Sequence, residues 1–170
     1  MPNITRNGAE AAIVWVRAAL IETLAHRHAY DEWAHNVCLA VVSLYDGGSW
    51  HREELMAYSH LSGLSNANLK KLYDVGGVEF VPDSIPFVGC NGMGRFHTEP
   101  RLLNYVLSRP GWIERVREIT LISEINCCKT CRKYAIDEFR KRYPQIGLHT
   151  FELGMNPGEN TFPKYRTIHG

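Results

Sequence analysis

The stretch that decides the fold is VREITLI at residues 116–122, which leads into CCKTC at residues 127–131. Its first residues alternate between apolar and polar side chains and its last are apolar, which is typical of a sheet strand beneath a layer of helices. After the cysteines, apolar residues recur at helical spacing from Tyr134 to Tyr143, and Pro144 ends the pattern. The sequence therefore predicts a strand that delivers the cysteines to the start of a helix.

A second predicted helix begins within RFHTEP at residues 95–100. Pro100 is compatible with its first turn, where the missing N–H group would have no partner within the helix. One face of this helix is apolar over the following two turns, at Leu102, Leu103, Val106 and Leu107. His97 and Glu99 are therefore expected at the start of the helix.

The first half of the chain opens with a predicted helix and a hairpin. Apolar residues at helical spacing predict a helix up to Leu24, with Trp15 on the apolar stripe and Arg17 on the opposite side. The run VCLAVVSLY at residues 37–45 predicts a central strand that turns into a partner at 50–59.

Two shorter elements complete the predicted order, a helix at 67–73 and a last strand at 148–153. Helices that alternate with strands after an opening hairpin favour helices on both faces of one sheet. The fold class is therefore predicted as α/β, a three-layer α/β/α sandwich with a mixed sheet of about five strands.

Composition is that of one globular domain. The chain has 170 residues, of which 45% are hydrophobic and 22% are charged, and its formal net charge is +1. Five cysteines, an odd number, favour reduced thiols over a disulfide framework. The sequence has no targeting signal and no apolar run long enough to cross a membrane. We therefore expect it to act in a cytoplasm, either where it is made or after delivery as part of a longer exported protein.

One imidazole and two thiolates form a donor set that suits zinc. His97, Cys128 and Cys131 supply that set and leave the fourth tetrahedral position open for water. Glu99, two residues after the histidine, would lie beside that water and could accept its proton. The cysteines begin a helix, whose positive dipole end lowers thiol pKa and favours thiolate ligands.

The pattern His97-x-Glu99 followed by Cys128-x-x-Cys131 resembles the signature of the zinc nucleobase deaminases, H-x-E and then P-C-x-x-C. The resemblance covers about 94–154, and it departs from the family where Cys127 replaces the usual proline. It implies a cytidine-deaminase-like fold, zinc held by His97, Cys128 and Cys131, and Glu99 as the proton shuttle. It also implies base contacts from the backbone of Thr98 and Asn126 and stacking by Phe96.

Within that family, the chain resembles the toxin-type deaminases of bacteria, because its first half diverges and the usual free-nucleoside motifs are missing. This resemblance implies one deaminase domain over 1–170, with 1–8 and 155–170 peripheral, that converts cytosine to uracil in single-stranded DNA. It also implies an immunity protein as partner of such a toxin. Two sets of residues are candidate contacts to the single-stranded DNA. The first is a basic run on the cysteine-bearing helix: Lys129, Arg132, Lys133, Arg140, Lys141 and Arg142. The second is a set of three aromatic residues that could stack on bases: Trp50, Tyr58 and Trp112.

Other interpretations remain open at the level of sequence. An RNA-acting deaminase and an enzyme of free nucleosides or nucleotides, acting on cytidine or adenosine, would share the motif. A structural zinc site with Cys127 as fourth ligand would make the chain a non-catalytic interaction domain. A redox pair formed by Cys128 and Cys131 would leave His97 and Glu99 without a role.

Overall fold

The computed structural model describes residues 4–24, 36–59, 61–89 and 97–155. Its helices are α1 (Arg6–Thr23), α2 (Asn66–Gly76), α3 (Thr98–Ser108), α4 (Lys129–Cys131) and α5 (Glu138–Arg142). A π-helical segment, Arg132–Asp137, joins α4 to α5, and we call the continuous stretch 129–142 the cysteine helix. The strands are β1 (Val37–Asp46), β2 (Ser49–Tyr58), β3 (Glu79–Phe80), β4 (Val116–Ser123) and β5 (Gly147–Glu152).

The five strands form one mixed sheet in the order β3-β2-β1-β4-β5. Strand β1 lies at its centre and pairs antiparallel with both β2 and β4. The outer strands β3 and β5 pair parallel with β2 and β4, respectively. A central strand is covered on both faces, which explains why all eight residues of the run VCLAVVSL in β1 are buried and only Ser43 among them is polar.

Helices cover both faces of this sheet. On one face, Cys38, Ala40 and Val42 of β1 belong to the core cluster that contains α3 and the cysteine helix. The alternating residues Leu39 and Val41 belong to the cluster beneath α1 and α2. The predicted three-layer α/β/α sandwich is confirmed. In the described ranges, no helix has the length and apolar character needed to cross a membrane.

Helix α1 differs from the prediction in the face it buries. Its N-cap is Thr5, whose hydroxyl accepts a hydrogen bond from the Gly8 N–H at 3.1 Å. Trp15, predicted on the apolar stripe, is 61% exposed, whereas Arg17, predicted on the outer face, is 2% exposed. The reason is tertiary: Arg17 meets a carboxylate 107 positions away in the chain.

That carboxylate belongs to Glu124, which is fully buried where β4 leads into the cysteines. The Arg17 guanidinium donates two hydrogen bonds to it, Nε to Oε1 at 2.6 Å and Nη2 to Oε2. Glu124 Oε2 also accepts the backbone N–H of Val37 at 3.3 Å, and the Glu124 N–H donates to the Val37 carbonyl at 3.0 Å. The ion pair therefore joins α1 to the start of β1 and the end of β4.

We expect Arg17→Met to lower the free energy of unfolding by about 3–5 kcal/mol, because it leaves a buried carboxylate without its cation. The double variant Arg17→Met/Glu124→Gln should recover part of this loss, because it removes both charges. Urea unfolding at a fixed zinc concentration, followed by tryptophan fluorescence, measures both.

The matched control is Glu10→Gln, which breaks the exposed Arg6–Glu10 pair on the same helix. This change should alter stability by less than about 0.5 kcal/mol. Equal losses for Arg17→Met and Glu10→Gln would contradict the structural role of the buried pair.

Candidate metal centre

Two helix starts bring the candidate metal ligands together. His97 is the N-cap residue of α3, Cys128 is the N-cap residue of α4, and Cys131 ends α4. His97 Nδ1 lies 3.7 Å from Cys128 Sγ and 3.1 Å from Cys131 Sγ. The three ligand atoms all lie within 4.8 Å of one another. The structure therefore assembles the three residues that the sequence proposed as ligands.

The chemistry and spacing of these atoms fit a zinc ion. Bond lengths of about 2.0–2.3 Å and tetrahedral angles place two ligand atoms about 3.6 Å apart. One of the two histidine–thiol distances is close to that value and the other is somewhat shorter. Cys131 is buried, His97 is half-buried and Cys128 is exposed, so the group faces solvent on one side. One imidazole with two thiols is a borderline-soft donor set of the kind zinc takes.

Backbone contacts fix the loop that carries the cysteines. Cys128 Sγ accepts the Cys131 N–H at 3.3 Å, which caps the first turn of the cysteine helix. The Cys127 N–H donates to Glu152 Oε1 at 3.0 Å, and Arg132 donates to both oxygens of the same carboxylate at 2.7 Å. The start of the cysteine helix is therefore held against the end of β5.

Glu99 is buried in the first turn of α3 and accepts hydrogen bonds from two hydroxyl groups. Ser123 Oγ donates to Glu99 Oε1 at 2.9 Å, and Thr98 Oγ1 donates to Glu99 Oε2 at 3.1 Å. Each carboxylate oxygen thus has its own hydroxyl donor. The carboxylate is held in one orientation next to the metal ligands.

Asn36 orients both hydroxyls. Its Nδ2 group donates to Thr98 Oγ1 at 2.8 Å and to Ser123 Oγ at 2.9 Å, and it lies 3.3 Å from Glu99 Oε1. Its Oδ1 atom accepts the backbone N–H of Ile125 at 3.2 Å, which distinguishes the two ends of the amide. The hydrogen bonds therefore run in one direction, from the amide through the hydroxyls to the carboxylate.

Sequence reasoning missed Asn36 and Ser123. Asn36 directly precedes β1 and Ser123 ends β4, so both sit at the edge of the sheet where the helix starts lie. Their positions at strand ends were the only sequence signal, and asparagine and serine are common at such positions for turn formation alone.

Cys127 does not join His97, Cys128 and Cys131 in one group. Its thiol lies instead with the Glu99 carboxylate and the Cys131 thiol, and these three ligand atoms are also within 4.8 Å of one another. All three residues are buried. Hydrogen bonding with Cys127 and burial raise the pKa of the Cys131 thiol.

The remaining predicted contacts are those of Phe96, Thr98 and Asn126 to the base, which stay predictions, and those of three aromatic residues to single-stranded DNA. Phe96 lies outside the described residues. Thr98 faces Glu99, and Asn126 is exposed, with its side-chain amide against Gly154. Tyr58 and Trp112 are predicted to stack on the bases of single-stranded DNA. Both side chains are buried in the core clusters, so that prediction is wrong for both.

Trp50 is half exposed, but it lies at the tip of the β1–β2 hairpin, where it packs against Tyr45 with ring centroids 5.1 Å apart. Strand β1 begins beside Asn36, so its eight steps to Tyr45 put the tip roughly 25 Å from the metal ligands. Trp50 is therefore not part of this centre.

Comparison of the chain with protein-family models, with curated proteins and with solved structures finds no match. The resemblance to the zinc nucleobase deaminases therefore rests on the sequence motif. The His97, Cys128 and Cys131 group and the five-stranded mixed sheet are compatible with a cytidine-deaminase-like fold.

We expect the affinity for zinc to fall as the pH is lowered from about pH 8 to pH 6, because both thiols must lose their protons to bind the ion. The raised pKa of Cys131 acts in the same direction, because its thiol stays protonated over this pH range and zinc must displace that proton to bind. Competition with a chromophoric chelator at each pH measures the dissociation constant.

In the same assay, His97→Ala should weaken zinc binding by more than about 100-fold, since even the loss of a group that hydrogen-bonds to a metal ligand costs about 10–100-fold. The matched control is His149→Ala on β5, an exposed histidine outside both groups, which should leave affinity unchanged. Unchanged affinity in His97→Ala would exclude this centre.

Proposed function

We propose that the chain is a zinc-dependent hydrolytic deaminase that converts cytosine to uracil in single-stranded DNA. One observation carries the proposal: a buried carboxylate, Glu99, stands beside a three-residue donor set suited to zinc. Structural zinc sites are closed by four protein ligands, whereas catalytic sites have three and keep one position open. The arrangement of His97, Cys128 and Cys131 supports the second kind.

The reaction replaces the amino group at C4 of cytosine by oxygen, with one water consumed and one ammonia released. When bound, zinc supplies a nucleophile by lowering the pKa of water to about 7. Glu99 accepts the proton of that water and gives it to the ring nitrogen N3. It then accepts the second proton, from the hydroxyl group now on C4, and transfers it to the amino group, which leaves as ammonia while the C4–N bond breaks and the C4=O bond forms. No electron transfer is involved.

The hydrogen bonds of Glu99 suit it to this task. Ser123 and Thr98 hold its two oxygens, so the carboxylate does not need to be reoriented between the two proton transfers. Asn36 in turn donates to both hydroxyls, and its Nδ2 atom also lies 3.3 Å from Glu99 Oε1. We therefore assign Asn36 as a positioning residue that acts through Thr98 and Ser123.

The surface beside the centre supports a nucleic-acid substrate. Tyr134, three residues after Cys131, is 43% exposed, and Lys133 Nζ lies 5.1 Å from the centroid of its ring. Lys129, directly after Cys128, is also exposed. Proteins that bind single-stranded nucleic acid without sequence preference combine an aromatic face, on which a base stacks, with positive charges that attract the phosphates.

The arginines of the predicted basic run contribute less, because carboxylates and carbonyls engage them. Arg132 pairs with Glu152, and Arg142 lies 3.5 Å from Glu138 and donates to the Gly89 carbonyl. Arg140 donates to the Leu148 carbonyl. The proposed contact to single-stranded DNA therefore depends mainly on Lys129, Lys133 and Tyr134.

The direct test incubates zinc-loaded protein with single-stranded DNA, duplex DNA, RNA and free cytidine and measures uracil or uridine. We expect uracil in single-stranded DNA only. Glu99→Gln should lower the rate by at least about 10²-fold while zinc remains bound, because the amide cannot accept the proton. The matched control Glu53→Gln, an exposed position on β2, should retain the wild-type rate.

Other results of this assay would change the assigned substrate, mechanism or function. Uridine from RNA or free cytidine alone would contradict the choice of substrate but support the chemistry. Full activity in Glu99→Gln would contradict the mechanism. Tight zinc binding without activity on cytosine or adenine would favour a non-catalytic zinc domain.

Asn36→Ala should lower kcat by about 10–100-fold, the usual effect of losing a group that orients a residue at a metal site. KM and zinc affinity should change little, because Asn36 belongs to neither metal-ligand group. Steady-state kinetics on an oligonucleotide, together with the chelator assay, separates these quantities.

The matched control for Asn36→Ala is Ser59→Ala, because the Ser59 hydroxyl accepts the backbone N–H of Asn36 and does not bond to its side-chain amide. It should leave kcat within about twofold. Loss of zinc affinity in parallel with kcat in Asn36→Ala would show that Asn36 supports the fold of the centre and does not act through Glu99.

A further inference from the structure

We propose that Glu99, Cys127 and Cys131 form a second metal position, adjoining the first, for a soft divalent cation such as Zn²⁺ or Cd²⁺. Occupancy of this position would engage Glu99 and inhibit the enzyme. The inhibitory effect rests on the proposed function, whereas the metal position itself does not.

The geometry of the three side chains carries the proposal. A carboxylate oxygen of Glu99 and the Sγ atoms of Cys127 and Cys131 lie within 4.8 Å of one another, and all three residues are buried. Two thiols and a carboxylate that converge in this way are a ligand set for a thiophilic cation.

Separate elements hold the three residues in place. Glu99 lies in the first turn of α3 and is held by Ser123 and Thr98. The Cys127 backbone is tied to Glu152, and Cys131 ends α4. The convergence therefore does not depend on a metal drawing flexible side chains together, and an ion would find the ligands already arranged.

Cys131 belongs to both groups, so its thiolate would bridge the two positions. The deaminase signature has a proline where this chain has Cys127, so the third thiol is a departure from the motif. Three thiolates and one carboxylate carry four negative charges, which match two divalent cations. Two divalent cations would therefore leave the complete ligand set neutral, which limits the cost of burying the charges of Glu99, Cys127 and Cys131.

Occupancy of the second position has a direct consequence for catalysis. A cation coordinated by Glu99 occupies the oxygen that otherwise accepts the proton of the water. The first metal ion would remain on His97, Cys128 and Cys131. Excess metal should therefore inhibit the enzyme through Cys127, a residue without a role in the proposed reaction.

The experiment is a titration of the metal-free full chain with Cd²⁺, followed by the ultraviolet absorbance of cadmium–thiolate bonds. A Cys90→Ala background is used, because Cys90 lies outside the described residues. We expect two equivalents to bind, the second more weakly. Cys127→Ala should bind one equivalent, whereas Cys38→Ala, which removes a buried thiol that belongs to neither group, should still bind two.

Several outcomes would overturn the second position. One is saturation at a single equivalent; another is two equivalents in Cys127→Ala. A single equivalent that is weakened by Cys127→Ala would instead place Cys127 in the first site as its fourth ligand. Loss of the second equivalent in Glu99→Gln as well would support the assigned ligand set.

Inhibition is measured separately, as the ratio of deamination rates at one and at several equivalents of Zn²⁺. We expect a ratio of at least about tenfold for the parent protein and near one for Cys127→Ala. Equal ratios in the two proteins would overturn the inhibitory effect. Two bound Cd²⁺ ions in a protein without deaminase activity would overturn the proposed function and leave the second position supported.

Discussion

Glu124 carries a carboxylate with no exposed surface, and the structure around the cysteines depends on its pairing with Arg17. An isolated charge in such a place is unstable, so burial of the end of β4 requires the arginine as its partner. The same carboxylate accepts the Val37 N–H, and the Glu124 carbonyl accepts the Met155 N–H. One ion pair thus ties α1, β1 and the end of β5 to the loop that leads to the metal ligands.

A second polar cluster, formed by Asn36, Thr98 and Ser123, lies at the same edge of the sheet and donates hydrogen bonds to Glu99. The Asn36 amide donates one hydrogen bond to the Thr98 hydroxyl and one to the Ser123 hydroxyl. Each hydroxyl in turn donates a hydrogen bond to the Glu99 carboxylate. Each buried polar group in this chain of hydrogen bonds has a partner, which is the condition for such a cluster to stabilise a single arrangement. The candidate centre therefore has two parts, a soft donor set and a fixed carboxylate, and different helices and strands supply them.

The order of elements was predictable because each has a local signal. Apolar runs and alternation marked β1 and β4, helical spacing marked α3 and the cysteine helix, and glycine and proline marked the turns. The pattern of His97, Glu99, Cys128 and Cys131 predicted the ligand group, because it places His-x-Glu and Cys-x-x-Cys at the starts of two helices with a strand between them. Burial on α1 was not predictable: a solvent-facing arginine and a buried one look alike until the partner carboxylate is known.

By itself, the sequence determined the α/β class, the hairpin, the helix starts and the residue types that can hold zinc, since these follow from periodicity and from side-chain chemistry. Only the tertiary structure decided that Trp15 is exposed and Arg17 buried, that Asn36 and Ser123 face Glu99, and that Cys127 lies with Glu99 and Cys131. The physical reason is the same in each case. These contacts join residues that are far apart in the chain, and their energies depend on distances and burial that no local pattern encodes.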